Sequence, residues 1–503
     1  MSAPPQSTER PADAVADGPD TSQGLGGHTA RGVAWVAGAR LGSQLLQFAS
    51  TIVLARLLVP SDYGLIAIVW TFTSFAFLLS DLGLGASLVQ RDRLAPEDAA
   101  TAFWINAVAG VVLTLLVVAL SGALAQLFGE PRLGPLLALA GVGYAIAMTV
   151  VPIAILERQL RFRAIALIDI GSFTLGTVIS IACAAAGVGA ASLVIGPLVT
   201  TGVTTVSAFA ISRWLPRARP TRAAARRLVG FGGHLTGFNI LNFWARNADN
   251  LLLGKVGGPT VLGLYNRAYM LMLMPINQVG GVLGRVLLPV FSRLAGDRAR
   301  LGSAFLRVGR TGGIITFPLL FGLAAVAANF VPVAFGERWT GMVPLLVVLA
   351  LSGPPQIVGV LSGVLCQATG QPRLLSTWGN LTNVTVVLAI LIGLPWKAEG
   401  VAVAFAVNAY LVLPIVLVPV RRTLGLGLRD VARANALPFL AAGAMGLAVA
   451  GLGRLLDAVT APAVVLVVQV AAGAAIYLGL LRAADPRALT EVVALLRRRA
   501  VPA

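Results

Sequence analysis

Charge is scarce in this 503-residue chain. Asp, Glu, Lys and Arg make up 12% of it, where a soluble protein carries roughly 25%. Lysine is nearly absent: Lys255 and Lys397 are the only two, and arginine supplies the rest of the positive charge. That bias points to a GC-rich, hence bacterial, genome. Two cysteines, Cys183 and Cys366, lie far apart in apolar stretches, with neither a CxxC spacing nor a histidine beside them. A metal site or a disulfide framework is therefore not expected. The chain carries no P-loop, which disfavours ATP-driven transport within it, and no cofactor motif, so no cofactor is expected. Residues 1–28 lack the basic start and apolar centre of a signal peptide. Polar and rich in Pro, Asp and Ser, they read as a disordered cytoplasmic tail.

What remains is apolar. The chain is 57% hydrophobic, with a mean hydropathy of +0.86, the composition of an all-α polytopic membrane protein. Runs of about 20 mainly apolar residues place fourteen spans at 31–57, 63–89, 101–127, 133–156, 164–186, 190–212, 229–254, 261–290, 307–327, 343–367, 374–394, 399–420, 435–453 and 461–481. The net charge of +18 does not form a nucleic-acid face, because the basic residues sit in short loops between spans. With the N-terminus inside, the cytoplasmic loops and tails hold 28 of them, against six outside: Arg56, Arg132, Lys255, Arg338, Lys397 and Arg454. This positive-inside bias predicts a bacterial cytoplasmic-membrane protein with both termini in the cytoplasm.

One stretch occurs twice. Residues 54–65 (LARLLVPSDYGL) align without a gap on residues 253–264 (LGKVGGPTVLGL). The offset of 199 residues sets Arg56 on Lys255, Pro60 on Pro259 and Gly64 on Gly263. Each copy joins two spans and reads as an external turn. Duplication of a helix bundle is the usual ground plan of a transporter, with the substrate handled between the copies. The expected organisation is a first lobe at 29–212, a basic cytoplasmic linker at 213–228 and a second lobe at 229–420. Two additional spans follow at 421–482, and a basic cytoplasmic tail at 483–503. Six spans per lobe, an even number, make the lobes parallel repeats about an axis along the membrane normal.

The segments GVAWVAGARLGSQLLQFASTIVLARLLVPSDYGLIAI (residues 32–68) and ADNLLLGKVGGPTVLGLYNRAY (residues 248–269) resemble those of bacterial polysaccharide exporters. These are flippases of the multidrug/oligosaccharidyl-lipid/polysaccharide superfamily, in the branch serving lipopolysaccharide and exopolysaccharide. The resemblance covers about residues 30–425. It implies fourteen helices in two six-helix lobes around a central cavity, with two more at the C-terminus. The implied cargo is an undecaprenyl-pyrophosphate-linked oligosaccharide moved from inner to outer leaflet. Polymerase and other biosynthesis proteins are implied partners.

Ionisable groups inside spans cost about 2.5–3.5 kcal/mol each on insertion scales, so those present call for a reason. The first span carries Arg40, Gln44, Gln47 and Thr51 in one helical stripe. The seventh carries Asn239, Asn242, Arg246, Asn247, Asp249 and Asn250. The 199-residue offset sets Asn239 on Arg40 and Arg246 on Gln47, so equivalent faces are polar in both lobes and are expected to line one hydrated cavity. Arg40 and Arg246 are candidates for the pyrophosphate, which a guanidinium holds bidentately; Gln44, Gln47, Asn239, Asn242 and Asn250 are candidates for sugar hydroxyls. Two plainer readings stand beside these: an ion pair between Arg246 and Asp249, and Arg40 snorkelling to the surface. Arg267 joins the cavity candidates, although it and Arg285 lie near opposite ends of the eighth span, where snorkelling also fits. Asp81, Asp169 and Arg285 are gating or ion-coupling candidates, and a proton or sodium gradient is a candidate driving force. Pro152, Pro197, Pro275, Pro318, Pro354 and Pro355 interrupt spans and are expected to kink them.

Two other functions compete. A multidrug antiporter of the same superfamily would favour acidic, aromatic cavity walls for a cation. Here Arg40, Arg246, Arg267 and Arg285 outweigh Asp81, Asp169 and Asp249. A membrane polymerase or ligase would need an external catalytic platform, and every expected external loop is short. Transport of an anionic cargo is the favoured reading.

Overall fold

The computed structural model describes residues 44, 46–80, 88, 95–229, 242–457 and 460–486. Among the described residues the regular structure is entirely helical. Helix α1 (Leu46–Leu57) leads into α2 (Pro60–Ser80), then α3 (Pro96–Phe128), α4 (Leu133–Ile146), α5 (Val150–Arg158), α6 (Phe162–Ala185) and α7 (Ser192–Ser212). A short helix α8 (Arg222–Val229) precedes the long α9 (Ala248–Leu294) and α10 (Arg298–Ala334). The longer helices that follow are α11 (Val343–Leu351), α12 (Gly353–Ala368), α13 (Pro372–Gly393), α14 (Lys397–Leu411), α15 (Leu428–Leu456) and α16 (Pro462–Ala484), with short helical turns between some of them. Among the described residues seven helical stretches are long and apolar enough to cross a membrane alone, and nine if each of two bent pairs counts as one span.

Local chemistry sets the ends of these helices. Pro60, Pro372 and Pro462 open α2, α13 and α16, where the missing N–H costs nothing and the fixed φ suits the first turn. Helix α3 starts at Pro96 with Glu97 and Asp98 against the positive end of its dipole, and stops at Gly129, whose φ of 69° is left-handed. Asp297 caps α10 by accepting from the backbone N–H groups of Ala299 (3.1 Å) and Arg300 (3.0 Å).

Prolines act unevenly. The fourth and tenth expected spans are broken, α4 to α5 by 44° and α11 to α12 by 46°. The breaks, at residues 147–149 and at Ser352, lie within about a turn ahead of Pro152 and of the Pro354–Pro355 pair, where a proline's missing N–H and its ring disturb the carbonyl four residues earlier. Pro197, Pro275 and Pro318 sit inside continuous helices. The sharpest turn of α9 is at Gly258, with φ 77° and ψ 175°, so that Pro259 starts a new helical segment. The second copy of the repeat therefore opens its helix with proline as the first copy does.

The last two helices are tied to the second half by a buried polar knot. Asn329 on α10 (7% exposed) donates to Asp457 at 3.0 Å and to Gln469 on α16 at 3.2 Å. Gln469 (2% exposed) in turn donates to the carbonyl of Val449 on α15 at 3.0 Å. The Tyr477 hydroxyl donates to the carbonyl of Ile314 at 2.9 Å. In an apolar surround an unpaired amide is costly, so the knot fixes the register of α15 and α16 against α10. Replacement Gln469→Leu, which removes the acceptor for Asn329, is expected to lower stability by about 1–2 kcal/mol. The measurement is thermal melting of the purified protein in detergent; an unchanged melting temperature would remove the knot from the forces holding α16.

Candidate functional site

The two halves meet most extensively where α2 lies along α9, and the repeated motif forms the contact. In each copy the proline begins the helix and the glycine follows one turn later, on the same face. A methyl group added to Gly64 would lie 1.8 Å from the carbonyl oxygen of Pro259, and one on Gly263 would lie 1.8 Å from that of Pro60. Each glycine thus accepts the backbone of the other copy, and no larger residue fits without parting the helices.

The motif cations complete this crossing. Arg56 Nε donates to the carbonyl of Ala334 at 3.1 Å, and its guanidinium also reaches that of Val333. These are end carbonyls of α10, which have no partner within their helix. Lys255 does the same for α3 by donating to the carbonyl of Leu127. A cation from each half therefore caps a helix C-terminus of the other, where the dipole also favours it. Trp339 adds a third link, donating from Nε1 to the carbonyl of Ala55 at 2.9 Å. Its ring meets Tyr63 edge-on at 5.2 Å. Asp62 does not pair with Arg56; it meets Arg132 at 3.7 Å.

Arg267 belongs to this crossing end and does not snorkel. Its guanidinium carbon stands 3.8 Å over the Tyr63 ring, and its Nε is buried without a hydrogen-bond partner. The contact is a cation–π pair between the halves.

Deeper in the bundle, the helical residues 242–246 and the start of α9 carry the polar cluster. Asp249 is 7% exposed and accepts from the N–H of Asn250 at 2.8 Å. The side chain of Asn250 receives that of Asn266 at 3.1 Å and reaches Asn247 at 3.5 Å. The Tyr265 hydroxyl lies beside the Asp249 carboxylate without meeting hydrogen-bond geometry. Arg246 is exposed, and no ion pair joins it to Asp249 among the described residues. Asn242 accepts from Asn383 of α13 at 2.8 Å. A second seam between the halves follows: Phe75 of α2 packs against Trp244 at 4.6 Å and Phe243 at 5.6 Å. Gln44 donates to Gln278 across the halves at 3.1 Å.

The structure thus places Asn242, Arg246, Asp249 and Asn250 within residues 242–250, Arg267 beyond the Gly258 break at the crossing end, and Gln44 at the inter-half seam. Gln47 is exposed, and its carbonyl accepts from Ser50 and Thr51. Asp169 is exposed on α6, away from this cluster. Arg40, Asn239 and Asp81 lie outside the described residues, as does the side chain of Arg285. Asn266, Gln278 and Asn383 were not among the expected site residues, although the test of polarity inside an apolar span would have found them. Tyr63 and Trp339 carry no comparable signal, since aromatics are ordinary in membrane helices.

Residues 53–344 match the model of a family described as "Polysaccharide biosynthesis protein". The chain is 28% identical over 372 residues to the lipopolysaccharide biosynthesis protein WzxC of Escherichia coli strain K12, covering 73% of this chain and 75% of that one. It is 26% identical over 478 residues to the teichuronic acid biosynthesis protein TuaB of Bacillus subtilis strain 168, covering 92% and 97%. Among solved structures it resembles the lipid II flippase MurJ in an inward closed conformation. The TM-score is 0.70 at 14% identity, over 90% of this chain and 99% of that one. A multidrug MATE-family transporter in an inward-facing conformation follows with a TM-score of 0.60 at 16% identity, over 76% and 94%. These likenesses show the fold: an all-α polytopic membrane protein of the kind that the repeats and spans led us to expect.

The crossing end makes its own test. Tyr63→Leu and Arg267→Met should couple in a double-mutant cycle of thermal stability by about 0.5–2 kcal/mol, the range of a desolvated cation–π contact. Additive effects would mean that the stacking contributes nothing.

Proposed function

Because the chain belongs to the polysaccharide biosynthesis protein family, we propose that it is a flippase for undecaprenyl-pyrophosphate-linked oligosaccharide repeat units. It turns them from the inner to the outer leaflet of the bacterial cytoplasmic membrane for lipopolysaccharide or exopolysaccharide assembly. The observation that carries this reading is the polar face of α9, held between the crossing and the Phe75–Trp244 seam where the two halves meet. A chemically mixed cargo needs such a face, because its sugars and phosphates must leave water while its prenyl chain stays in lipid.

In this reading the halves are lobes 29–212 and 229–420, joined by the linker 213–228. The Arg-rich end, with 28 basic residues against six, faces the cytoplasm together with both termini. The crossing then closes the external side, and it parts when the lobes rock against each other. Opening means withdrawing Arg56 and Lys255 from the helix ends that they cap. Hydrogen bonds to charged groups are worth about 1.5–3 kcal/mol each, and water replaces part of that once the seam is wet. A gate held by a few kcal/mol is reversible, and a cargo must bind the two states with a difference of about 5.5 kcal/mol to drive it from one state to the other.

Arg246, exposed and free of Asp249, is the residue for the pyrophosphate; Asn242 and Asn250 serve sugar hydroxyls. Arg40, Gln44, Gln47 and Asn239 complete the cavity from the first span and its repeat. Arg267 is released from Tyr63 when the crossing parts and then offers a second guanidinium. Asp249, buried and without a basic partner among the described residues, is the group through which a proton or sodium gradient acts. A multidrug cation would not find it accessible, and would meet Arg246 first.

Arg246→Ala and Asp249→Asn separate the two roles. In cells deleted for the exporter, Arg246→Ala at normal protein level should lose polymer export by tenfold or more whatever the gradient. Asp249→Asn should keep binding of the lipid-linked sugar but lose the dependence of export on the ion gradient. Normal polymer from the Arg246→Ala strain would refute the assignment of the phosphate to that residue.

A further inference from the structure

At the Arg-rich end, outside the seam between the halves, α10 and α15 enclose a cavity of about 430 Å³ lined by Leu306, Arg307, Arg310, Arg433, Ala434 and Leu437. Arg307 and Arg310 are one turn apart on α10 and face the same side, and Arg433 comes from the start of α15. Among the described residues one carboxylate is ion-paired with these three guanidinium groups: Asp485, just past the end of α16, holds Arg310. Arg307 and Arg433 are exposed and have no ion pair among the described residues. A hollow with this charge selects an anion.

Depth and the neighbouring surface say which anion. The hydrocarbon core needs roughly 20 helical residues. Counted back from the crossing end, Ala334 of α10 and Leu456 of α15, that length reaches about residues 315 and 437. Arg307, Arg310 and Arg433 therefore stand in the headgroup layer, within a turn or two of the apolar core. From Arg433 a stripe runs up α15 in seven-residue steps to Leu440 and Leu447, which are 67% and 78% exposed. Steps of seven drift only about 20° around a helix. Arg433 of the cavity thus shares one face of α15 with an exposed leucine track that a soluble anion would leave bare.

We propose that this cavity binds the phosphate headgroup of an anionic diacyl phospholipid, with an acyl chain along Leu440 and Leu447. Arg307 and Arg433 hold the phosphate oxygens, and Asp485 competes with the lipid for Arg310. The site links the membrane's anionic lipid to the contact between α10, α15 and the end of α16. It goes beyond the transport reading, since it lies away from the polar face of α9 and needs no cargo.

Native mass spectrometry of the purified full-length protein, titrated with phosphatidylglycerol or phosphatidylcholine, tests it. Wild type should retain phosphatidylglycerol in preference to phosphatidylcholine. The double variant Arg307→Gln/Arg433→Gln should lose on the order of tenfold in phosphatidylglycerol affinity, given the attraction of each basic residue for an anionic surface. The control Arg421→Gln/Arg422→Gln, at the same end but outside the cavity, should not. Asp485→Asn, which releases Arg310, should raise the affinity a few-fold, so the site can be judged even if the double variant folds poorly. Equal retention of the two lipids, an equal loss in the control, or an unchanged or lower affinity in Asp485→Asn would each overturn the site. Displacement of the lipid by millimolar inorganic phosphate would make it a site for a soluble anion and overturn the lipid assignment.

Discussion

Two backbone carbonyls, those of Pro60 and Pro259, stand where the first carbon of a side chain on the opposite glycine would be. Everything else about the crossing follows from that approach. Helices α2 and α9 come this close because Gly64 and Gly263 have no Cβ. Close approach brings Tyr63 under Arg267 and carries Arg56 and Lys255 to the open ends of α10 and α3. The contact is reciprocal because the chain contains the same segment twice. A seam built from two related pieces is nearly self-complementary about its axis, as in a two-fold dimer of separate chains.

The bilayer explains the rest. Within hydrocarbon every polar group needs a partner inside the protein, so polar residues collect at the two places where helices must be held or water admitted. One is the Asn329–Gln469 knot, fully buried, which docks α16. The other is the cluster on α9, where Asp249 is buried but Arg246 is exposed at the seam between the halves. In the first, Asn329 and Gln469 both donate to partners within the protein, and the knot serves structure. In the second, Arg246 has no ion pair among the described residues, which is why we propose it for the cargo.

Much of this was legible in the sequence, for definite reasons. The all-helical membrane fold was legible from the apolar runs, although seven to nine spans stand among the described residues where fourteen were expected. Polar residues around the start of α9 stood out because the surrounding composition is so apolar. Other features were hidden. The repeat read as an external turn, yet its proline is the first residue of a helix and its glycine the point of closest approach. A local pattern cannot distinguish a glycine that turns a chain from one that admits a neighbour. The partners of Arg56 and Lys255 were invisible for a related reason: they are backbone carbonyls, identical in every residue. The span breaks before Pro152 and Pro354 were anticipated as kinks, but Pro197, Pro275 and Pro318 carry the same local signal inside continuous helices. Neighbouring helices decide whether the freed backbone groups find partners.

The central claim is that the crossing of α2 and α9 opens and closes while the halves move as units. Leu57 and Val256 are repeat-related, exposed residues on either side of it, at 40% and 53%. Spin labels at these two positions, read by double electron–electron resonance in nanodiscs, report the crossing directly. The expected result is a short distance matching the closed crossing and a longer one that gains population when a lipid-linked oligosaccharide is added. A single short distance under every condition, in protein that still supports polymer export in cells, would contradict it.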